Sequence, residues 1–202
     1  KMLVSSTHTH SGASLNTRSD QAAAYWKLFV EGVSQSIIKA HAALRPAAIG
    51  AAAHPLPDEV FNRRWFLKPG KMPLNPFGRM DKVKLNPGTS PDVLDRPAGP
   101  TDPDITIISL RDAKRKPLAL FANYSLHYVG GMPPAQISAD YFGEFCRRIE
   151  ERLGSDRQDL PFVGILANGP CGDVNNNDYS GKTPAIQRAP YEKILLVATD
   201  LA

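Results

Sequence analysis

The sequence lacks most features that mark a specialised class of protein. Its 202 residues contain only two cysteines, Cys146 and Cys171, which form neither a dense disulfide framework nor a CxxC metal or redox pair. Nothing in the sequence shows whether these two pair with each other. No apolar run approaches the roughly 20 residues that would span a bilayer. Only five histidines occur, so any clustering among them is informative.

Charge of one sign is also not concentrated. Lysine and arginine number 24 against 20 acidic residues, which leaves a net charge of +4, and the basic residues are scattered. The densest patch, residues 111–116, lies between two apolar runs and indicates a hairpin tip. Nucleic-acid binding therefore has little support. With 42% apolar and 22% charged residues, the composition is that of an ordinary globular domain, and it does not indicate an oligomeric state.

The first part of the chain predicts a strand, a helix and a second strand. Residues 2–7 are apolar and β-branched, which favours a strand. Apolar residues at helical spacing follow from Asp20, with Ser19 or Asp20 available as the cap and Pro46 as the stop. Small residues at 47–53 predict a buried strand. Residues 54–103 hold most of the prolines and predict a long irregular insertion, in which Trp65, Phe66 and Phe77 are expected to be core residues rather than the lining of an apolar channel.

The remaining chain alternates strands and helices. Strands are predicted at 104–110, 117–124 and 161–167, a helix at 140–153 ended by Gly154, and another helix from Ile194 onward. The predicted fold class is therefore α/β, with layered mixed β-sheets flanked by helices and a metal site at the C-terminal ends of strands. Residues 1–202 are expected to form one catalytic-type domain that is a fragment of a longer one.

Three of the histidines directly follow predicted strands. His8 and His10 are two positions apart, so in an extended segment they face the same way, and His127 follows a later strand. Imidazole is a good zinc ligand, and a hydrolytic zinc site needs about three protein ligands with one position left open. The spacing leaves the third ligand undecided between Asp140 and Asp173. Each also has a structural interpretation, as helix cap and as loop brace respectively.

The loop 173–178 is rich in Asp and Asn and is a candidate for a second divalent cation, Ca²⁺ or Mg²⁺. It lacks the glycine and glutamate of a calcium-binding loop, so bracing of a turn is the favoured interpretation. Cys171 lies in a glycine-rich turn where backbone amides are able to converge on an oxyanion. A nucleophilic role for this cysteine is nevertheless disfavoured.

Five sequence elements, taken in order, resemble the neutral/alkaline, non-lysosomal ceramidases. They are Ser6-Thr-His-Thr-His-Ser-Gly12, Asn62-Arg63-Arg64, Asn75-Pro76, Asn123-Tyr-Ser-Leu-His127 with Ser138-Ala-Asp140, and Gly172-Asp-Val174. The resemblance spans most of the chain and is that of a divergent, bacterial-type member of the family's N-terminal catalytic domain. It implies a secreted or surface-associated enzyme of sphingolipid metabolism that contacts a lipid amide substrate and a membrane surface.

The resemblance also implies roles for individual residues. His8 and His127 would bind Zn²⁺, and His10 would assist the reacting carbonyl. Arg63 would be both catalytic and substrate-binding, because its cation would hold an anionic or carbonyl oxygen. The family's glutamate and tyrosine ligands would lie beyond residue 202. Asn175 stands where well-studied members have a serine, which excludes a covalent serine route there and leaves Asn175 as a substrate-binding candidate beside Arg63.

The function expected from the resemblance is hydrolysis of an amide of the N-acylsphingosine type by zinc-activated water. Two alternatives remain open. One is hydrolysis of another amide or an ester on the same scaffold, because a fold does not set the substrate. The other is a non-catalytic binding domain with a degenerate metal site.

Overall fold

The computed structural model describes residues 3–13, 15, 19–159, 161–182 and 186–202. Three α-helices, one short 3₁₀ helix (Pro57–Glu59) and nine strands are found in these ranges. In chain order the α-helices and strands are α1 (Asp20–Ala42), β1 (Ala48–Pro55), β2 (Phe61–Asn62), β3 (Arg64–Leu67), β4 (Lys84–Leu85), β5 (Leu94–Pro97), β6 (Asp104–Arg111), β7 (Pro117–Tyr124), α2 (Asp140–Arg152), β8 (Val163–Asn168), β9 (Val174–Asn175) and α3 (Glu192–Leu201). The α/β prediction is confirmed.

A four-stranded mixed sheet is the frame of the molecule. Its order is β1-β6-β7-β8, with antiparallel pairing except between β7 and β8, which run parallel. Parallel neighbours need a crossover, and α2 supplies it. Because β7 and β8 run the same way, the segments that follow Tyr124 and Asn168 leave the sheet at the same edge.

The main core lies between this sheet and the helices α2 and α3. Inward-facing Leu120, Ala122 and Tyr124 of β7 are buried against the apolar faces of both helices. The opposite face of the sheet is open, since Phe121 is 38% and Ile165 46% exposed. The prediction of a buried strand at 47–53 is right about the strand and wrong about burial, because β1 is exposed along its whole length.

The first helix is confirmed, and Ser19 is its N-cap, accepting a hydrogen bond from the backbone NH of Ala22 at 3.2 Å. Its apolar stripe is not buried. Trp26 and Phe29 stack on each other, yet they remain 44% and 41% exposed. Among the described residues, α1 therefore contributes little to the core.

The segment 54–103 is more ordered than the proline content predicts. A three-stranded sheet of order β4-β3-β5 forms within it, and Trp65, Leu94 and Tyr179 make a small second core beneath that sheet. Trp65 was correctly expected in a core and Phe66 is half-buried. The same expectation was wrong for Phe77, which is 86% exposed.

The predicted N-terminal strand does not form in the part of the segment that the structure describes, because residues 3–9 have no regular secondary structure. Met2, where the predicted strand begins, lies outside the described residues. His8 and His10 therefore do not follow a strand. The segment is attached instead through Ser11, whose hydroxyl donates to the carbonyl of Ser138 and whose carbonyl accepts from the Ser138 backbone NH. β-Branched residues without a neighbouring strand have no ladder to join.

Two further observations concern the whole described chain. Within the described ranges no helix has the length and apolar character needed to cross a bilayer. Cys146 and Cys171 are both free thiols, so they do not pair. Burial raises the pKa of the Cys146 thiol, as expected for a cysteine packed between α2 and the sheet.

Candidate metal centre

His127 is fixed by the ends of two parallel strands. It follows β7 and is only 5% exposed, and its Nδ1 lies 2.9 Å from the carbonyl oxygen of Cys171, in the segment after β8. A carbonyl only accepts, so Nδ1 must carry the proton. The lone pair of the neutral ring is therefore on Nε2, the tautomer that a metal ligand needs.

The environment of His127 favours the neutral ring. Burial lowers its pKa, the bond to Cys171 opposes this shift, and the nearby cationic side chain of Arg63 adds to the lowering, as do His8 and His10. Metal binding requires an unprotonated imidazole. The pKa shift therefore keeps His127 ready to bind metal at neutral pH.

His8 and His10 complete a compact cluster with His127. The Nε2 atoms of His8 and His10 are 3.2 Å apart, and the ring centroids of His8 and His127 are 4.7 Å apart. One nitrogen from each of the three side chains lies within 4.8 Å of the others, and no other group of metal-binding side chains this close occurs in the described part of the chain. The three histidines selected from the sequence thus lie together, and their roles as metal ligands or catalytic groups stay predictions.

The spacing suits a small divalent ion. Tetrahedral zinc with Zn–N bonds of about 2.0–2.1 Å places two ligand nitrogens about 3.4 Å apart. The three ligand atoms of the cluster all lie within 4.8 Å of one another, and the Nε2 atoms of His8 and His10 are 3.2 Å apart, so the separations are of the order that such an ion requires. His8 adopts a positive φ of 57°, a conformation that is uncommon for a residue other than glycine.

Tyr128 is a part of the site that sequence reasoning missed. Its ring stacks on that of His10, with centroids 3.9 Å apart and an interplanar angle of 22°. It is also 5.4 Å from the ring of His127. The only sequence signal was its position next to His127, which does not reveal that it contacts His10.

Neither proposed acidic ligand joins the cluster. Asp140 is 3% exposed, and its carboxylate accepts hydrogen bonds from the backbone NH groups of Val129, Gly130 and Tyr141. It braces the loop after His127 and accepts from one NH group of the first turn of α2, whose N-cap residue is Ala139, so Asp140 is not the N-cap itself. Asp173 lies 3.4 Å from the amide of the buried Asn62, which agrees with the loop-bracing interpretation.

Arg63 lies at the wall of the site. Its guanidinium donates through Nε and Nη2 to the carbonyl of Gly172, at 3.2 and 2.7 Å, in the loop that also carries Cys171. The backbone NH of Arg63 donates to the carbonyl of Asp173. The side chain is therefore held in a defined direction by the loop that also orients His127.

Asn175 is half-buried in β9 and its amide is already bonded within the protein. Nδ2 donates to the hydroxyl of Tyr179 at 2.8 Å, and Oδ1 accepts from the backbone NH of Asn177 at 2.9 Å. Asp178 likewise accepts from the backbone NH and the hydroxyl of Ser180. These contacts fit the turn-bracing interpretation of the loop 173–178, and the second divalent cation stays a prediction.

The segments that leave β7 and β8 approach each other closely at Gly169, and this approach explains why a glycine stands there. A Cβ atom at Gly169 would lie 2.4 Å from the hydroxyl oxygen of the buried Ser125 and 2.9 Å from Oδ1 of Asn123. The side chain of Asn123 also donates to the carbonyl of Asn168 at 2.9 Å. Only glycine allows the two strand ends to approach this closely.

Comparison with known proteins shows where this fold has been seen. No family model matches the sequence, and no curated protein matches it. Solved structures do match in fold, among them two ceramidase structures. One is a ceramidase complexed with C2, with a TM-score of 0.56, and the other is the neutral ceramidase from Pseudomonas aeruginosa, with a TM-score of 0.52. Each is 20% identical and matches 85% of this chain, while only 23% of the ceramidase chain is covered. The chain thus shares the fold of part of a ceramidase and spans about a quarter of that protein's length.

Proposed function

We propose that this chain carries part of the catalytic site of a zinc-dependent amide hydrolase of the ceramidase type. One observation carries the proposal, namely the convergence of His8, His10 and His127 within 4.8 Å. The resemblance of their motifs to those of ceramidases and the shared fold support the same chemistry. Zinc bound at such a site supplies Lewis acidity toward a substrate carbonyl and a water molecule.

The residues of the chain divide into binding and proton-handling roles. His127 binds metal through Nε2, since Nδ1 is engaged by Cys171, and His8 is its partner ligand. His10 is exposed, and its Nε2 lies 3.2 Å from the Nε2 of His8, within hydrogen-bond distance. It accepts and returns the proton that water loses and the leaving amine gains.

Arg63 and Asn175 are proposed to bind substrate. Gly172 engages the Nε and Nη2 atoms of Arg63, and Nη1 has no hydrogen-bond partner among the residues that the structure describes, so Nη1 can donate to a carbonyl or hydroxyl oxygen of the substrate. Asn175 already uses both ends of its amide, which makes its part in binding the weaker of the two. The substrate class proposed is an N-acyl amide with a lipid chain.

The test is metal content and hydrolysis measured on the same preparations. Purified chain and the variants His8→Ala and His127→Ala are compared by elemental analysis and by release of fatty acid from an N-acylsphingosine. His41→Ala and His54→Ala serve as matched histidine controls outside the cluster. We expect near-stoichiometric zinc in the parent and controls, and loss of zinc and activity in the two cluster variants.

One observation favours a second function, a binding domain with a partial metal site. In the described ranges no carboxylate joins the three imidazoles. Zinc retained by the parent with no release of fatty acid from lipid amides, and none from simple anilide or ester substrates, would support that function. Hydrolysis of the simple substrates alone would instead identify a hydrolase of another amide or ester. Absence of zinc from the parent would contradict all three.

A further inference from the structure

A tight turn at residues 74–80 presents three large apolar side chains to solvent. Leu74 is 66%, Phe77 86% and Met80 71% exposed. Leu74 and Met80 form an isolated antiparallel bridge at the base, so Phe77 lies at the tip. Exposed apolar side chains clustered in this way mark an interaction surface more often than they occur by chance.

The 74–80 turn is braced rather than loose. Oδ1 of Asn75 accepts hydrogen bonds from the backbone NH groups of Phe77 and Arg79, both at 3.0 Å, and its Nδ2 donates to Asp81. Gly78 takes a φ of 72° and its NH donates to the carbonyl of Asn75. Phe77 is therefore held outward before any partner arrives, which lowers the entropic cost of binding.

Positive charge is concentrated around the same turn. Residues 61–97 contain eight basic and three acidic residues, and eight minus three leaves this segment a net charge of +5. The net charge of the whole chain is only +4. Four of these cations, Lys71, Arg79, Lys82 and Lys84, flank the apolar tip. None of the four takes part in an ion pair with any residue that the structure describes.

We propose that the 74–80 turn and its four flanking cations bind the surface of an anionic lipid bilayer, with Phe77, Leu74 and Met80 inserted among the headgroups. Phe and Leu beside Lys and Arg are typical of interfacial membrane binding. An acidic protein partner fits less well, because lysine is depleted from protein interfaces and three of the four cations are lysines.

The 74–80 turn is connected to the candidate site through neighbouring strands. β4, which follows the turn, pairs with β3 through Arg64 and Trp65. The backbone NH of Asn86 donates to the carbonyl of Arg63 at 2.8 Å. The turn is therefore joined through β4 and Asn86 to the backbone of Arg63 and of the strand that follows it. The proposal itself does not depend on hydrolysis or on metal.

The experiment is co-sedimentation of the whole chain with vesicles. The vesicles contain phosphatidylcholine alone or phosphatidylcholine with phosphatidylserine, and the variants are Phe77→Ser and the double change Lys82→Gln with Lys84→Gln. Each cation near an anionic surface changes affinity about fivefold, so the double variant should bind on the order of thirtyfold more weakly. Phe77→Ser should lose about tenfold, since a buried aromatic is worth at least that much.

Matched controls exist elsewhere on the surface. Leu44 is 74% exposed and serves as the apolar control in Leu44→Ser. Lys27→Gln combined with Arg157→Gln removes the same charge away from the turn. Both controls should bind like the parent. Insertion is checked independently with Phe77→Trp, whose fluorescence should be quenched by brominated lipid beyond the quenching seen in the parent.

Three results would overturn the proposal. One is a parent chain that does not sediment with phosphatidylserine vesicles, including the case in which it binds an acidic polypeptide instead. Another is equal sedimentation of the turn variants and the parent. The third is equal binding to vesicles with and without phosphatidylserine, which would remove the electrostatic part. Urea unfolding of each variant confirms that a loss of binding is not a loss of folding.

Discussion

The Nδ1 atom of His127 lies 2.9 Å from the carbonyl oxygen of Cys171. This bond joins the segments that leave two parallel strands, and it selects the tautomer in which Nε2 is free. The orientation of the principal candidate ligand is therefore a property of the main sheet. Removing the Cys171 side chain should not affect it, because the backbone makes the bond.

His10 is expected to act on protons rather than to hold the metal. In His10→Ala, zinc content should stay near that of the parent while hydrolysis falls by about 10²–10⁴, the usual contribution of a general acid or base. Elemental analysis and single-turnover rates on the same sample test this. Loss of zinc in His10→Ala would instead make His10 a third ligand, which the 3.2 Å distance to His8 also permits.

Tyr128 is expected to position the His10 ring through stacking. Tyr128→Leu should lower kcat about tenfold with little change in KM, whereas Tyr128→Phe retains the stack and should behave like the parent. The ring-proton NMR signals of His10 give a second measurement. Their ring-current shift should vanish in the Leu variant and persist in the Phe variant. Equal signals in all three proteins would show that the rings do not stack in solution.

Asp140 is expected to be essential for the loop after His127. Asp140→Asn keeps the shape but replaces an acceptor oxygen with a donor facing backbone NH groups, which should cost about 2–3 kcal/mol. Urea unfolding measures the loss. Asp156→Asn, on an exposed side chain, is the control and should change little. Zinc bound per folded molecule should be unchanged by Asp140→Asn, and a selective loss of zinc would return Asp140 to the list of ligands.

The close approach at Gly169 should make even one methyl group costly. Gly169→Ala places a Cβ 2.4 Å from the hydroxyl oxygen of Ser125, and relief of that overlap should cost about 1–3 kcal/mol. At Gly172 an added Cβ would meet no atom within 4 Å, so Gly172→Ala is the matched control. A similar stability for both variants would contradict the crowding inferred at the strand ends.

The buried His127 predicts acid sensitivity of the metal-free chain. Its folded-state pKa is lowered below 6.5, chiefly by burial, so the unfolded chain binds more protons as the pH falls. Stability should be complete above about pH 6.5 and fall as the pH drops through the folded-state pKa, by at most about 1.4 kcal/mol per pH unit. Urea titrations in chelator from pH 7.5 downward measure this slope. His127→Gln should flatten it, and an unchanged slope would assign the effect to another group.

Much of the fold was predictable because local signals coincide with the elements formed. Ser19 caps α1 as its side chain predicts, and Gly154 ends α2 with the positive φ that its position favours. The turn between β6 and β7 follows from the charged patch at 111–116. These features depend on residues a few positions apart, which a single sequence displays directly.

What was not predictable depends on long-range packing. The burial of β1 was expected from its small residues, but burial depends on what covers a strand, and its outer face is uncovered in the described chain. The bonds of Asp140 to Val129 and Gly130, and the stack of Tyr128 on His10, have no signature in spacing. The histidine cluster itself was proposed from the spacing of His8 and His10, the position of His127 after a strand and the resemblance to ceramidases, although the strand expected before His8 does not form.

The attachment of the N-terminal segment has a kinetic consequence. Ser11 and Ser138 are 127 positions apart in sequence, and the segment they secure has no regular structure of its own. Closing so long a loop is slow compared with forming the hairpin β6–β7, so we expect His8 and His10 to dock after the sheet has folded. Amide hydrogen exchange in this segment should accordingly be fast in the apo chain and slow once metal is added, because the ion binds only the docked arrangement. Metal occupancy would then report the last step of folding.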